Sequence, residues 1–216
     1  EDALLRMQER SRKMRRWIII ILCCAVGLIL LLFGAAIVIE KLEEAKKANV
    51  TDGDYTFYPV YDGDIMENEE YLGLNRHVSF CANPSGYGLT QAITDENREE
   101  FDGSVLFLYE YIQTIIRGDS LAYNKLFNET YYRDNAQKEN FAQQMLYNIN
   151  IRFMSESKEG NERLITYRVE YMIHQNNGTF RRDVGSDASR PQDITVRVGA
   201  NGEILIERIV TYYSNK

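Results

Sequence analysis

The sequence predicts an α+β protein: one transmembrane helix followed by an extracytoplasmic domain in which helices pack on a curved antiparallel sheet. Three observations predict it. Residues 17–39 carry no charge, residues 101–119 place apolar side chains at spacings of three and four, and from residue 149 onward the hydrophobic period falls to two. The 216 residues leave room for one domain plus appendages. Four segments follow: a basic tail over 1–16, the span over 17–39, a juxtamembrane helix and loop-rich connector over 40–100, and an α+β domain over 101–216.

The run WIIIILCCAVGLILLLFGAAIVI is about 34 Å long as a helix, enough for a hydrocarbon core of roughly 30 Å. Glu40, Lys41, Leu42, Glu43 and Glu44 follow it directly, where a signal peptide would offer a small-residue cleavage site. Arg6, Arg10, Arg12, Lys13, Arg15 and Arg16 crowd its amino side, so the N-terminus is expected in the cytoplasm and the body outside, with the lipid bilayer as a partner. Within the run, Cys23, Gly27 and Gly34 fall on one stripe. Such a stripe permits close helix packing, or reflects the abundance of small residues in membrane helices. Cys81 is the one other cysteine; no intrachain disulfide is expected, and Cys81 is a free thiol, a buried small hydrophobe or an intermolecular link, burial being favoured.

The whole chain carries 25 basic and 32 acidic side chains, a net charge of -7. The first 39 residues hold 6 Lys/Arg against 3 Asp/Glu, which leaves 19 against 29 for the rest. An acidic body repels phosphate backbones, so nucleic acid is not an expected partner. With 44% hydrophobic residues and 3 prolines, the chain is neither a long disordered tract, a collagen nor a disulfide-dense miniprotein. Low Pro beside abundant Asn, Tyr, Ile and Glu points to a bacterial source.

EKLEEAKKA, residues 40–48, is built of helix formers and extends the span outward. Residues 49–94 mix Gly, Asn, Asp and aromatics and read as loops with one or two short strands. The acidic positions there do not match a calcium loop, because counting from Asp52 or Asp62 puts no Gly at the sixth position. Val105, Leu108, Tyr109, Ile112, Ile115 and Ile116 give the helix over 101–119 one buried face. Gly118 ends it and Asp119 caps the next helix, DSLAYNKLF. A third helix is expected over 137–148, where Phe141, Met145 and Leu146 share a side. Ile149, Ile151 and Phe153, then Ile165, Tyr167, Val169, Tyr171 and Ile173, alternate as half-buried strands. Asn176, Asn177 and Gly178 suggest a turn, and Asn201-Gly202 joins a strand around Ile194, Val196 and Val198 to one from Ile204 to Tyr213.

The amphipathic helix ending in Arg117-Gly118-Asp119, Leu126-Phe127 seven residues on, Tyr131-Tyr132, a third helix and the hairpins together resemble the nuclear transport factor 2-like superfamily. That resemblance covers residues 101–216 and implies a cone in which helices close one side of a curved sheet. It also implies a site: among the superfamily's ketosteroid isomerases, a Tyr eight residues before the Asp of Gly-Asp donates to a developing oxyanion, and Tyr111 stands at that spacing from Asp119. The general-base position falls at Asn135, with Asp134 one residue away, so Tyr111 and Asp134 are the ligand-pocket candidates. Other members are single-pass components of secretion machines with a short cytoplasmic tail and an extracytoplasmic cone, a layout similar to this one.

No Cys-x-x-Cys, His-Glu-x-x-His, Gly-x-Ser-x-Gly, P-loop or dinucleotide fingerprint occurs. His77 and His174 are the two histidines, too few for a His-rich metal site. No catalytic set, metal or cofactor is expected. Two functions remain: a membrane-anchored domain that binds protein partners or homo-oligomerises, as a secretion- or envelope-type scaffold does, and a ligand-binding or isomerase-like cone around Tyr111 and Asp134.

Overall fold

Two hydrophobic periods, 3.6 and 2, each produce the expected kind of element, but they are joined differently from the expectation. The computed structural model describes residues 50–52 and 54–212. In chain order it contains β1 (Val50–Asp52), β2 (Tyr55–Phe57), α1 (Glu69–Leu72), β3 (Val78–Cys81), β4 (Thr90–Ala92), α2 (Gly103–Arg117), α3 (Ser120–Asn124), α4 (Glu129–Asp134), β5 (Met145–Glu159), β6 (Glu162–His174), β7 (Gln192–Val198) and β8 (Ile204–Thr211). β1 and β2 form a ribbon, and the other six strands form one sheet in the order β4-β3-β5-β6-β7-β8.

The central strands follow the alternation. Ile165, Tyr167, Val169, Tyr171 and Ile173 of β6 are buried, and their neighbours are less so, as a sheet with one face on a core requires. β5, β6, β7 and β8 pair antiparallel in a meander. β3, however, runs parallel to β5, with Val78 opposite Ile149 and Cys81 opposite Arg152, so the sheet is mixed where an antiparallel one was expected. Four residues, VSFC, are too short to display a period, and their partner strand is distant in sequence.

Helix α2 lies against this sheet through Val105, Leu108, Tyr111, Ile112, Ile115 and Ile116, each at most 5% exposed. Burial of such a side chain contributes roughly 1.5–3 kcal/mol, so the face, more than helix propensity, holds the helix in place. Tyr111 takes the inward place expected of Tyr109, which is only partly buried. Asp102 caps the helix by accepting from the Ser104 N–H at 2.9 Å. The Ser104 hydroxyl lies 2.7 Å from that of Tyr167, which fastens the helix start to β6. Gly118 ends α2 in the left-handed region, φ 68, and Asp119 caps α3 by accepting from the Ala122 N–H.

The helix expected over 137–148 does not form. Residues 136–144 are an extended strap, and β5 begins at Met145. The reason is a close approach: a Cβ at Gly118 would lie 2.7 Å from the Gln143 nitrogen and 2.9 Å from the Ala142 carbonyl carbon. The Gln144 N–H donates to the Ile116 carbonyl at 3.3 Å, closing the end of α2. Met145 and Leu146 are both buried there, an adjacent pair that imitates helical spacing.

From residue 54 on, the expected connector is part of the folded body. Ile65, Tyr71, Val78 and Ile93 belong to the same core as α2 and the sheet, and the Tyr71 hydroxyl donates to the Leu146 carbonyl at 3.0 Å. Cys81 is buried and free. The fold class is therefore α+β with a mixed six-stranded sheet. The expected membrane-spanning helix has no counterpart in it: among the described residues no helix is long and apolar enough to cross a membrane. Residues 17–39, with Cys23, Gly27 and Gly34, lie outside the described residues.

Candidate ligand cleft

A cleft of about 460 Å³ opens between the helical layer and the β6–β7 connection. Tyr111 of α2 and Tyr123 of α3 line it from the helices, Tyr131 of α4 borders it, and Lys138, Arg181, Arg182 and Asp183 bring charge to it. Aromatic packing shapes its floor. Tyr123 contacts Tyr111, Phe127, Phe141 and Phe180, with ring centroids 4.9–5.6 Å apart, the spacing of mutually stabilising aromatic pairs.

The β6–β7 connection is shaped by Asn176, which is fully buried. Its Nδ2 donates to the carbonyls of Arg181 at 3.1 Å and Val184 at 2.8 Å, while its Oδ1 accepts from the Gly178 N–H at 2.9 Å. A single amide thus folds residues 176–184 into a compact loop and satisfies backbone groups that burial would otherwise leave costly. The loop presents Arg181 inward, only 6% exposed. Arg181 grips Asp183 with two hydrogen bonds, Nε to Oδ1 at 2.9 Å and Nη2 to Oδ2 at 2.6 Å. It also donates through Nη1 to the Tyr171 hydroxyl at 3.4 Å and the Arg190 carbonyl at 3.2 Å.

These contacts set the protonation states. Burial pushes the Tyr111 hydroxyl well above its ordinary range, and the hydrogen bond to Tyr123 adds to the shift. Burial likewise raises Tyr123, and raises Tyr171 against the opposing charge of Arg181. All three are neutral hydroxyls at physiological pH. Burial would raise Asp183, but the hydrogen bonds and charge of Arg181 outweigh it and hold the carboxyl below its usual range. Lys138 is pushed down by burial, with Asp183 drawing it up and Arg181 adding to the fall.

The cleft is thus lined by three cationic side chains and one carboxylate, in a chain whose net charge is -7. Asp183 is already committed to Arg181 and lies 3.6 Å from Arg190 as well. No imidazole lines the cleft. The arrangement can attract and orient an anion; it holds no uncommitted carboxylate or imidazole to act as a base.

Of the two expected pocket residues, the structure places one here. Tyr111 lines the cleft, whereas Asp134 lies at the end of α4, exposed, and borders a neighbouring groove with Thr195, Glu207 and Arg208. Asn135 turns extended at the helix end, φ -131 and ψ 138, and lines the cleft instead. Tyr131, Asn135 and Ile209 line both depressions, so the two expected residues border adjoining hollows. His174 sits between Asp187 at 3.3 Å and Glu70 at 3.5 Å, away from the cleft. Among the described residues no group of three or more His, Cys, Asp or Glu could hold a metal ion. Sequence reasoning missed Lys138, Arg181 and Asp183; the signal was the charged run Arg181-Arg182-Asp183 directly after the aromatic Phe180.

No family model, curated protein or solved structure matches this chain.

Proposed function

We propose that the domain is a binding module whose cleft takes a small anionic ligand. The observation that carries this reading is the excess of positive charge, Lys138, Arg181 and Arg182 against Asp183, over a floor of neutral tyrosine hydroxyls. Clefts lined by one sign of charge with apolar walls focus the field and concentrate ligands of the opposite sign. Guanidinium groups suit carboxylate and phosphate geometry, and hydroxyls fix orientation. A helical layer followed by a β-meander, with a cleft between them, supports the resemblance to nuclear transport factor 2-like cones. Function in that superfamily lies in the site rather than the fold.

Calorimetric titration of the full chain with inorganic phosphate at constant ionic strength tests this. Saturable binding is expected, weakened about tenfold or more, roughly 1.4 kcal/mol, when Lys138 and Arg182 are both replaced by Gln. Equal binding by the wild type and the double variant would refute the reading.

A further inference from the structure

We propose that the domain carries a second ligand site, an aromatic hollow that takes a small free organic cation, a quaternary or alkylated ammonium compound. The hollow, of about 360 Å³, lies where the start of α2 meets β3, β5 and β6. It shares no lining residue with the anion cleft and does not depend on it. Its origin is the register of the sheet. Phe153 and Tyr167 are cross-strand partners, and Phe80 of β3 stands opposite Ile151, two residues before Phe153. Positions so related share one face of a sheet, and the buried Ile151 and Tyr167 put that face on the core. Directly after Phe153 the pairing of β5 with β6 shifts register, the kind of irregularity that re-aims a side chain beside a site. Phe101, two residues before α2 begins, adds the fourth ring.

The four rings meet at steep angles. Phe80 crosses Phe101 at 86° with centroids 6.0 Å apart, Phe80 crosses Tyr167 at 61° and 6.4 Å, and Phe153 crosses Tyr167 at 76° and 6.1 Å. Rings crossed in this way make walls rather than a stack, and the negative face of a ring attracts a cation held within about 6 Å of its centre. Phe80, Phe101 and Phe153 stay partly exposed although they pack against the core, and Leu89 at the border is 96% exposed. Contiguous apolar surface left open marks a binding site. Tyr167 is fixed in place, its hydroxyl 2.7 Å from that of Ser104. Burial pushes that phenol up to about 12, so its ring is neutral.

The charged rim selects the sign of the ligand. Glu100, Asp102 and Glu156 line the hollow with a single cation, Arg163, an excess of two negative charges. The Arg163 charge is taken up within that group: its Nε and Nη2 donate to the two Glu156 carboxylate oxygens at 2.7 and 3.3 Å, and Nη1 lies 3.6 Å from Asp102. Burial opposes ionisation of Asp102, but its bonds to Ser104 hold it below its usual range, and Arg163 does the same for Glu156. Glu100 accepts from the Gln91 amide at 3.2 Å. Aromatic walls alone would admit any apolar compound; with an acidic rim they prefer one that is positively charged.

The probes are choline and 3,3-dimethylbutan-1-ol, which differ only in a charged nitrogen against a neutral carbon. Saturation-transfer NMR on the full chain follows the methyl singlet that each carries. Choline should bind saturably and about tenfold more tightly than the alcohol. Phe153→Leu and Phe101→Leu each keep an apolar side chain and remove a ring face, so each should weaken choline about fivefold and leave the alcohol within about twofold. Glu100→Gln, on the exposed rim, should weaken choline about twofold and keeps the test open if a leucine variant fails to fold, which circular dichroism reports. Equal affinity for the two probes, or saturation by neither, would overturn the proposal. So would leucine variants that lose choline and the alcohol alike, because the hollow would then be a plain apolar surface.

Discussion

Arg181 and Asp183, two residues apart on one loop, form a two-pronged ion pair at 2.9 and 2.6 Å whose guanidinium also reaches the Tyr171 hydroxyl on the central strand. The pair joins the β6–β7 connection to the sheet at the place where the cleft is deepest in charge. Removing one partner of a buried pair costs more than the pair contributes, because the other charge is left unpaired. Arg181→Ala should therefore lower stability by about 3 kcal/mol, the lower end of the usual range since Asp183 is partly exposed. Urea denaturation followed by circular dichroism measures it, and an unchanged midpoint would show the pair to be ornamental.

The same pair predicts a pH dependence. Asp183 is opposed by burial but held below its usual range by Arg181, so its folded pKa is lower than its unfolded value of about 3.9. Its contribution is fully present above that unfolded value and is lost as pH falls through the folded one. Asp102, Asp193 and Glu207 are lowered too and share in the acid limb. Asp183→Asn should flatten, without abolishing, the loss of melting temperature below about pH 4. An unchanged acid limb would count against the assignment.

Asn176 organises the loop that carries this pair. Its three buried side-chain hydrogen bonds, to Arg181, Val184 and Gly178, have no substitute in Asn176→Ala, which leaves two carbonyls and one N–H unsatisfied. The expected cost is about 2–4 kcal/mol, together with loss of anion binding because Arg181 and Asp183 lose their setting. Hydrogen exchange over residues 176–184 should rise first. Exchange that rose equally across the sheet would mean that the loop is not a separate unit.

How much of this was legible depended on how local the cause was. The face of α2, the cap at Asp119, the stop at Gly118 and the alternation of Ile165 to Ile173 are all written within a few residues, and they stand where the sequence put them except that Tyr111 takes the inward place of Tyr109. The parallel partnership of Val78–Cys81 with Ile149–Arg152 has no local trace, and neither has the packing of Ile65 and Tyr71 into the main core. At Phe141, Met145 and Leu146 the local pattern misled, because the strap that carries them is kept extended by its pass over Gly118. The site shows the same division. Tyr111 was named through the superfamily resemblance, not through the helix period, and Lys138 and Arg181 reach the cleft from segments that meet only in the folded chain.

That pass over Gly118 is itself testable. Gly118 and Gly202 both have positive φ, 68 and 83, so alanine at either bears the cost of the left-handed region, about 1 kcal/mol. At Gly202 a Cβ meets nothing within 4 Å, whereas at Gly118 it meets backbone atoms at 2.7, 2.9 and 3.0 Å, which no rotamer change can relieve. Gly118→Ala should destabilise by at least about 2 kcal/mol more than Gly202→Ala. Equal melting temperatures would show that the strap is free to shift.

The separation of Tyr111 from Asp134 yields the sharpest test of where ligand binds. Tyr111→Phe keeps the ring in its cluster with Tyr123 and Phe127 and removes the hydroxyl, hydrogen-bonded to Tyr123, of a residue that lines the cleft, so stability should change by about 1 kcal/mol. Phosphate affinity should fall about three- to tenfold, the worth of one neutral hydrogen bond. Asp134→Asn alters an exposed residue of the neighbouring groove and should leave affinity within about twofold, any change being a small gain from removing a nearby negative charge. If Asp134→Asn weakened binding and Tyr111→Phe did not, the ligand would occupy the groove beside Thr195 and Arg208, and the cleft floored by tyrosines would be only a consequence of packing.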